Sequence, residues 1–368
     1  MYKRQLRKIV KGAGIGFIGT FIGLFLGYLS RMVIGRWLGT SDYGLISLAF
    51  AGVSIALTLS MLGLTSGITR YVSFYKGKND MGRIKGTIIG AVKITLPMSL
   101  IFACIFYFGA EWISLNVFHE PGLTEVLRIF SIAIPFYVLT LNFLCTINGF
   151  QYMQYSVYTE HIFQNTFKIL VIVILLILGF GVIGAAWGWV LAIVLMPFLA
   201  FYFLEKRVFP LLNTKIKAIP MEREIFFYSF PLIFSGIAGM ITAWTDTLML
   251  GYFFTSSEVG IYNAALPTAR LLAVVGGSFG TIFMPVVTEL YAKNRLSDLK
   301  SIYRAVTKWI LSLTIPAFLL MAIFSNFVIK ILFGGEFVAG ATALSILSFG
   351  FLIVSIMRPT DRILEVIG

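Results

Sequence analysis

Gly12-Ala-Gly-Ile-Gly-Phe-Ile-Gly-Thr-Phe-Ile-Gly-Leu-Phe-Leu-Gly-Tyr-Leu-Ser-Arg-Met-Val-Ile34 runs for 23 residues with one charge, Arg31, close to its end. At about 1.5 Å of rise per residue a helix of that length reaches roughly 35 Å, enough to cover a hydrocarbon core of about 30 Å. Lipid offers no water to unpaired backbone groups, so a run of this length is helix, and the alternating pattern of a barrel strand is absent from it. Ten such runs follow one another, at about 12–34, 43–68, 87–110, 126–150, 161–180, 182–204, 225–254, 259–287, 305–333 and 341–367. The expected fold is all-α and polytopic, with about ten transmembrane helices.

Composition points the same way: 58% of the 368 residues are hydrophobic and 12% charged, where soluble domains carry roughly 25% charged residues. The net charge of +13 does not indicate nucleic acid, because the basic residues sit in short breaks between runs and form no basic domain or stripe. These breaks alternate. Lys3, Arg4, Arg7, Lys8 and Lys11 precede run one; Arg70, Lys76, Lys78, Arg83 and Lys85 follow run two. Lys206, Arg207, Lys215, Lys217 and Arg223 follow run six, and Lys293, Arg295, Lys300 and Arg304 follow run eight. The intervening breaks carry acids instead, among them Glu111, Glu120, Glu125 and Glu258. The excess of Lys and Arg on one side places both ends in the cytoplasm of a multi-pass plasma-membrane protein.

The sequence also repeats. Gly39-Thr-Ser-Asp-Tyr-Gly-Leu45, which leaves run one, returns as Thr255-Ser-Ser-Glu-Val-Gly-Ile261, which leaves run seven, at an offset of 216 (42 to 258, 44 to 260). Tyr75 and Tyr291 open two basic breaks at the same offset, and Ile94-Thr-Leu-Pro97 and Val117-Phe118 return as Leu313-Thr-Ile-Pro316 and Leu332-Phe333. An even number of helices per copy makes the copies parallel, a transporter architecture with the path between two lobes. The expected lobes are 1–217, with six helices, and 218–368, with four. Gly368 maps near Gln151, so a protein with at least twelve helices is expected, of which this chain is a fragment or a shortened member.

Four segments carry a resemblance: Arg31-Met-Val-Ile-Gly-Arg-Trp-Leu-Gly-Thr-Ser-Asp-Tyr-Gly-Leu-Ile-Ser-Leu-Ala49, Leu62-Gly-Leu-Thr-Ser-Gly-Ile-Thr-Arg-Tyr71, Asp246-Thr-Leu-Met-Leu-Gly-Tyr-Phe253 and Val259-Gly-Ile-Tyr-Asn-Ala-Ala265. With them the chain resembles, over essentially its whole length, the polysaccharide biosynthesis and export proteins. These form the O-antigen flippase-like (Wzx-type) branch of the superfamily that also holds multidrug extruders and lipid II flippases. The resemblance implies a transporter, not an enzyme, that moves a polyprenyl-phosphate-linked oligosaccharide across the membrane, with the sugar in a cavity and the lipid tail in the bilayer. Members have twelve or fourteen helices, and this chain stops earlier.

A charge inside hydrocarbon costs at least about 2–3 kcal/mol, so ionisable residues far from helix ends are candidates for handling such a substrate. Arg270 stands about eleven residues into run eight, three after Pro267. Its guanidinium could meet a phosphate or pyrophosphate, or pair with an internal acid. Asp246, about eight residues from the outer end of run seven, either pairs with a cation or takes part in H+ or Na+ coupling. Gly19, Gly23 and Gly27 form a small-residue row for close helix packing, and Arg31 continues that row. Arg31 therefore points into protein, or else snorkels. The repeat puts Arg31 in register with Asp246, and the two are expected to pair across the outer gate in one state and part in the other. Arg358, Asp361 and Arg362 gather beside Pro359 and line the cavity or lie at the wet end of run ten, the second being favoured. Lys93 and Lys168, about seven residues inside cytoplasmic helix ends, are expected to snorkel.

Other patterns carry no chemistry. Gly14-Ile-Gly-Phe-Ile-Gly19 has dinucleotide-site spacing but no preceding strand. His119 and His161 lack ligand-spaced companions, and Cys104 and Cys145 both fall inside apolar runs, so no metal or cofactor is expected. A cation-coupled drug extruder would present acids deep in the first lobe, and runs one to six show none well inside a span. A membrane-embedded glycosyltransferase or polymerase would need paired carboxylates or a large external loop. The expected partners are the lipid-linked oligosaccharide and membrane lipids.

Overall fold

A computed structural model describes residues 2–367, with side chains from residue 19 onward except 280–282 and 285. Lys3, Arg4, Arg7, Lys8 and Lys11, the first glycines of the decoy motif and Gly368 lie outside the described side chains. The helices are α1 (Tyr2–Met61), α2 (Leu64–Gly77), α3 (Met81–Trp112), α4 (Leu123–Gly149), α5 (Met153–Ile177), α6 (Gly181–Phe203), α7 (Glu222–Phe253), α8 (Ser256–Ala292), α9 (Leu296–Ile323), α10 (Ser325–Phe333) and α11 (Ala341–Ile367). The chain is a polytopic helical membrane protein.

Among the described residues nine helices are long and apolar enough to cross a membrane, where ten runs were expected. The difference arises at Gly39, whose φ of 81° and ψ of −175° turn the chain with no intervening loop, so that runs one and two share α1. Its apolar part, Gly19–Met61, has 43 residues and would reach about 65 Å if straight, twice the hydrocarbon thickness. It crosses twice, folded at Gly39. A side chain in that extended positive-φ region costs about 1–3 kcal/mol, which glycine escapes. A second break, at Leu62 and Gly63, separates α1 from α2. There a Cβ on Gly63 would stand 2.6 Å from the Ser229 carbonyl oxygen.

The fifth span begins earlier than the sequence suggests. Met153–Ser156 and a π-helical stretch, Val157–Phe163, precede the regular helix Gln164–Ile177. Residues 151–160 fall between runs four and five of the sequence, yet from Met153 onward they are helical.

Contacts divide the chain into two compact units, Met1–Val259 and Gly260–Gly368. In the first, α4 packs on α3 and α6, and α5 on α6. One core joins Leu64, Ile68 and Val72 of α2 to Ile84 and Ile88 of α3, Ile147 of α4 and Ile225 of α7. Phe25, Phe108, Phe198 and Phe234 are exposed on helices of this unit, as lipid-facing side chains are. In the second unit α9 lies along α11, fastened by Ser345 Oγ to the Ala322 carbonyl at 3.0 Å, while Ser355 Oγ donates to the Leu272 carbonyl of α8 at 2.9 Å.

Candidate translocation site

The glycine row of α1 sets the geometry of the first unit's interior. A Cβ on Gly19 would fall 2.0 Å from Val157, one on Gly23 2.5 Å from His161 Cβ, and one on Gly27 3.3 Å from Asn165 Oδ1. Residues four apart on α1 thus meet residues four apart on α5, and the two backbones come close because nothing intervenes. Asn165, pressed against Gly27, donates to the His161 carbonyl at 2.9 Å and accepts from Lys168 Nζ at 2.9 Å.

Lys168 is only 4% exposed. The expectation that it snorkels is wrong, because Asn165 and the face of Trp189, whose ring centre is 4.6 Å from Nζ, hold the ammonium inside. Arg31, one turn beyond Gly27, hydrogen bonds the buried Tyr43 hydroxyl and acts electrostatically on Lys168. Among the described residues neither cation forms an ion pair. Two buried or half-buried cations without a carboxylate leave a local excess of positive charge, whose chemical complement is a phosphate or another anion. Aromatic rings extend from this point: Trp189 lies 5.0 Å from Phe50, which lies 5.4 Å from Trp244.

Asp246 follows Trp244 by two residues and accepts the Thr247 N–H at 2.7 Å. In this structure the Arg31 guanidinium is engaged by Tyr43. Glu160 is an acid that the sequence reading missed. It lies seven residues after Met153, about 10 Å along α5, and accepts from the Tyr137 hydroxyl at 3.4 Å. The expectation that no acid stands well inside the first six spans is corrected by the earlier start of that helix. Lys93 does reach outward and meets Glu222 at 3.1 Å.

At the turn of the repeated motif, Thr40 Oγ1 and Ser257 Oγ are 2.8 Å apart, and Ser41 Oγ and Ser256 Oγ 3.0 Å. Glu120 accepts the Ser256 N–H at 2.6 Å, and Glu258 reaches back to accept the Thr255 N–H at 3.2 Å together with the Thr255 hydroxyl where α8 starts.

In the second unit Arg270 is exposed, fourteen residues after Ser256 and about 21 Å along α8. The Arg358 stem packs against α8, with its Cγ 3.3 Å from a Cβ placed on Gly276, and its Nε finds no hydrogen-bond partner among the described residues. Arg362 pairs with Glu365 at 2.6 Å and not with Asp361, which is exposed. Asn165, Trp189 and Tyr43 were also missed. The polar pair Asn165 and Lys168, three apart and facing a glycine row, was the signal that could have found them.

The sequence profile of the family described as polysaccharide biosynthesis protein matches residues 9–291, and that of the MatE family matches residues 231–368. An uncharacterized membrane protein of Methanocaldococcus jannaschii is 26% identical over 98% of this chain and 74% of its own length. A probable low-salt glycan biosynthesis flippase, Agl15 of Haloferax volcanii, is 28% identical over 40% of this chain and 31% of its own. Among solved structures, an inward-facing multidrug resistance MATE family transporter of the MOP superfamily superposes with a TM-score of 0.72 at 15% identity, over 92% of this chain and 82% of that one. The lipid II flippase MurJ in an inward closed conformation gives 0.71 at 17%, over 96% and 76%. These likenesses establish the fold.

Proposed function

We propose, on the premise that the chain belongs to the polysaccharide biosynthesis protein family, that it flips a polyprenyl-phosphate-linked oligosaccharide across the plasma membrane for assembly of a surface polysaccharide or glycoconjugate. Family and fold are those of transporters. The observation that carries the substrate reading is Lys168, buried beside Arg31 and paired with no carboxylate among the described residues. The phosphate that joins lipid to sugar supplies permanent negative charge, whereas a cationic drug would be repelled. Agl15, to which part of the chain is similar, is named as a probable glycan biosynthesis flippase.

In this reading residues 1–217 and 218–368 are the two lobes of a transporter with both chain ends in the cytoplasm. Arg270 and Arg358 contribute positive charge from the second lobe, Arg362 and Asp361 stand at its wet end, and Asp246 or Glu160 carries the coupling H+ or Na+. The test is reconstitution of the purified chain in vesicles, with movement of a fluorescent lipid-linked sugar measured beside export of a cationic dye. The expected result is sugar-lipid movement that falls at least tenfold in Lys168→Met. Dye export without sugar-lipid movement overturns the proposal in favour of a multidrug extruder, a reading that Glu160 and the MatE match keep in view.

A further inference from the structure

Between α6 and α7 residues 209–221 run without helix across the face of α3. Three glycines one turn apart make room for them. A Cβ on Gly82 would stand 2.9 Å from the Lys217 carbonyl oxygen, one on Gly86 1.7 Å from that of Ile219, and one on Gly90 3.3 Å from Glu222 N. The Ile219 N–H donates to the Gly82 carbonyl at 3.1 Å, and Lys85 Nζ to the Asn213 carbonyl at 2.8 Å. Phe209 and Met221, at the two ends, are buried. This segment is a strap held along its length, not a slack linker.

The strap and its flanks display Lys206, Arg207, Lys215, Lys217 and Arg223, all exposed. None of them forms an ion pair among the described residues. The neighbouring acids are already engaged: Glu205 accepts the Leu212 N–H at 3.1 Å, Glu222 meets Lys93, and Glu224 accepts from the Tyr75 hydroxyl at 3.4 Å. Leu212 projects among the cations, 67% exposed, while the Ile219 side chain lies against Gly82 of α3, its Cδ1 3.2 Å from a Cβ placed there. An apolar tip among unneutralised cations, directly after a membrane span, matches the boundary between acyl chains and anionic headgroups.

We infer that residues 206–223 form a preorganised site for anionic phospholipid headgroups of the surrounding bilayer. Lys215, Lys217 and Arg223 take the phosphate oxygens, and Leu212 enters the acyl boundary. A topology signal needs only charge, whereas this surface also fixes where its charges stand. The glycine row of α3 therefore belongs to the lipid site, although no lipid touches it.

The test uses the full chain in nanodiscs with a fluorophore on Thr214→Cys, an exposed strap position, and reads quenching by brominated phosphatidylglycerol against brominated phosphatidylcholine, so it does not depend on transport. Preferential quenching by phosphatidylglycerol is expected. Lys215→Gln with Lys217→Gln should weaken that preference by about tenfold or more, since each juxtamembrane cation is worth about fivefold. Gly86→Ala, which keeps every charge but forces the strap off α3, should weaken it as well. The double glutamine variant alters no buried side chain and keeps the test decisive if Gly86→Ala fails to fold. Equal quenching by the two lipids, or an unchanged preference in the double variant, overturns the inference. Full preference in a folded Gly86→Ala overturns the preorganised site and leaves charge alone. Loss of the preference in millimolar inorganic pyrophosphate would reassign these cations to a soluble diphosphate and equally overturn it.

Discussion

Thr40 Oγ1 lies 2.8 Å from Ser257 Oγ, and one position along Ser41 meets Ser256 at 3.0 Å. At the offset of 216 the counterparts of Thr40 and Ser41 are Ser256 and Ser257, so each residue bonds the counterpart of the other. Reciprocity of this kind is what a two-fold relation between copies of one turn produces. The two copies close the turn differently: Gly39 adopts a positive-φ backbone in the first, while in the second the Glu258 carboxylate reaches back to the Thr255 N–H. Thr40→Cys with Ser257→Cys should cross-link in native membranes under mild oxidation, stop transport, and regain it with a thiol reductant. A pair that cross-links with transport intact would show that this turn does not move in the cycle.

Lys168→Met separates stability from function. Removing a buried charge that meets no carboxylate among the described residues should leave thermal stability unchanged or raise it by about 1 kcal/mol, while movement of the lipid-linked sugar falls. A variant that unfolds instead would make Lys168 a structural residue.

Gly23→Leu should destabilise the chain by about 1–3 kcal/mol, because a side chain there must displace His161 from the α1–α5 seam. Thermal unfolding in detergent measures this. The same change at Gly277, where a Cβ would meet nothing within 4 Å, serves as the tolerant control.

Arg31→Asp and Asp246→Arg should each abolish transport, and the double variant should restore part of it if the two residues meet in another state of the cycle. Failure of the swap in a well-folded double variant counts against that gate.

The spans were legible because hydrocarbon imposes a length and an apolarity that few other environments require. Side-chain placement was less so. Arg31 continues the Gly19, Gly23 and Gly27 row by its four-residue spacing, but that period does not disclose Tyr43 as its hydrogen-bond partner. Lys168 was misjudged because distance from a helix end says nothing about which face a side chain occupies. Only the packing of Asn165 against Gly27 and the ring of Trp189 decide that. Glu160 was lost with the start of α5, where a π-helical stretch breaks the 3.6-residue period on which sequence reading depends. The strap on α3 carries no periodicity of its own, and the glycines that receive it were visible only as unassigned small residues.

The turn at Gly39 also determines where the chain will accept foreign sequence. A reversal made by one residue has no slack, so an epitope inserted between Leu38 and Thr40 must prise apart the hydroxyl pairs that follow it. The turn at Gly179 and Gly181, where added side chains meet nothing within 4 Å, is free to carry one. In the orientation proposed above both turns are extracellular, so antibody staining of intact cells is expected with an epitope at the second turn, and its silence at the first would record how tightly the two halves of α1 are joined.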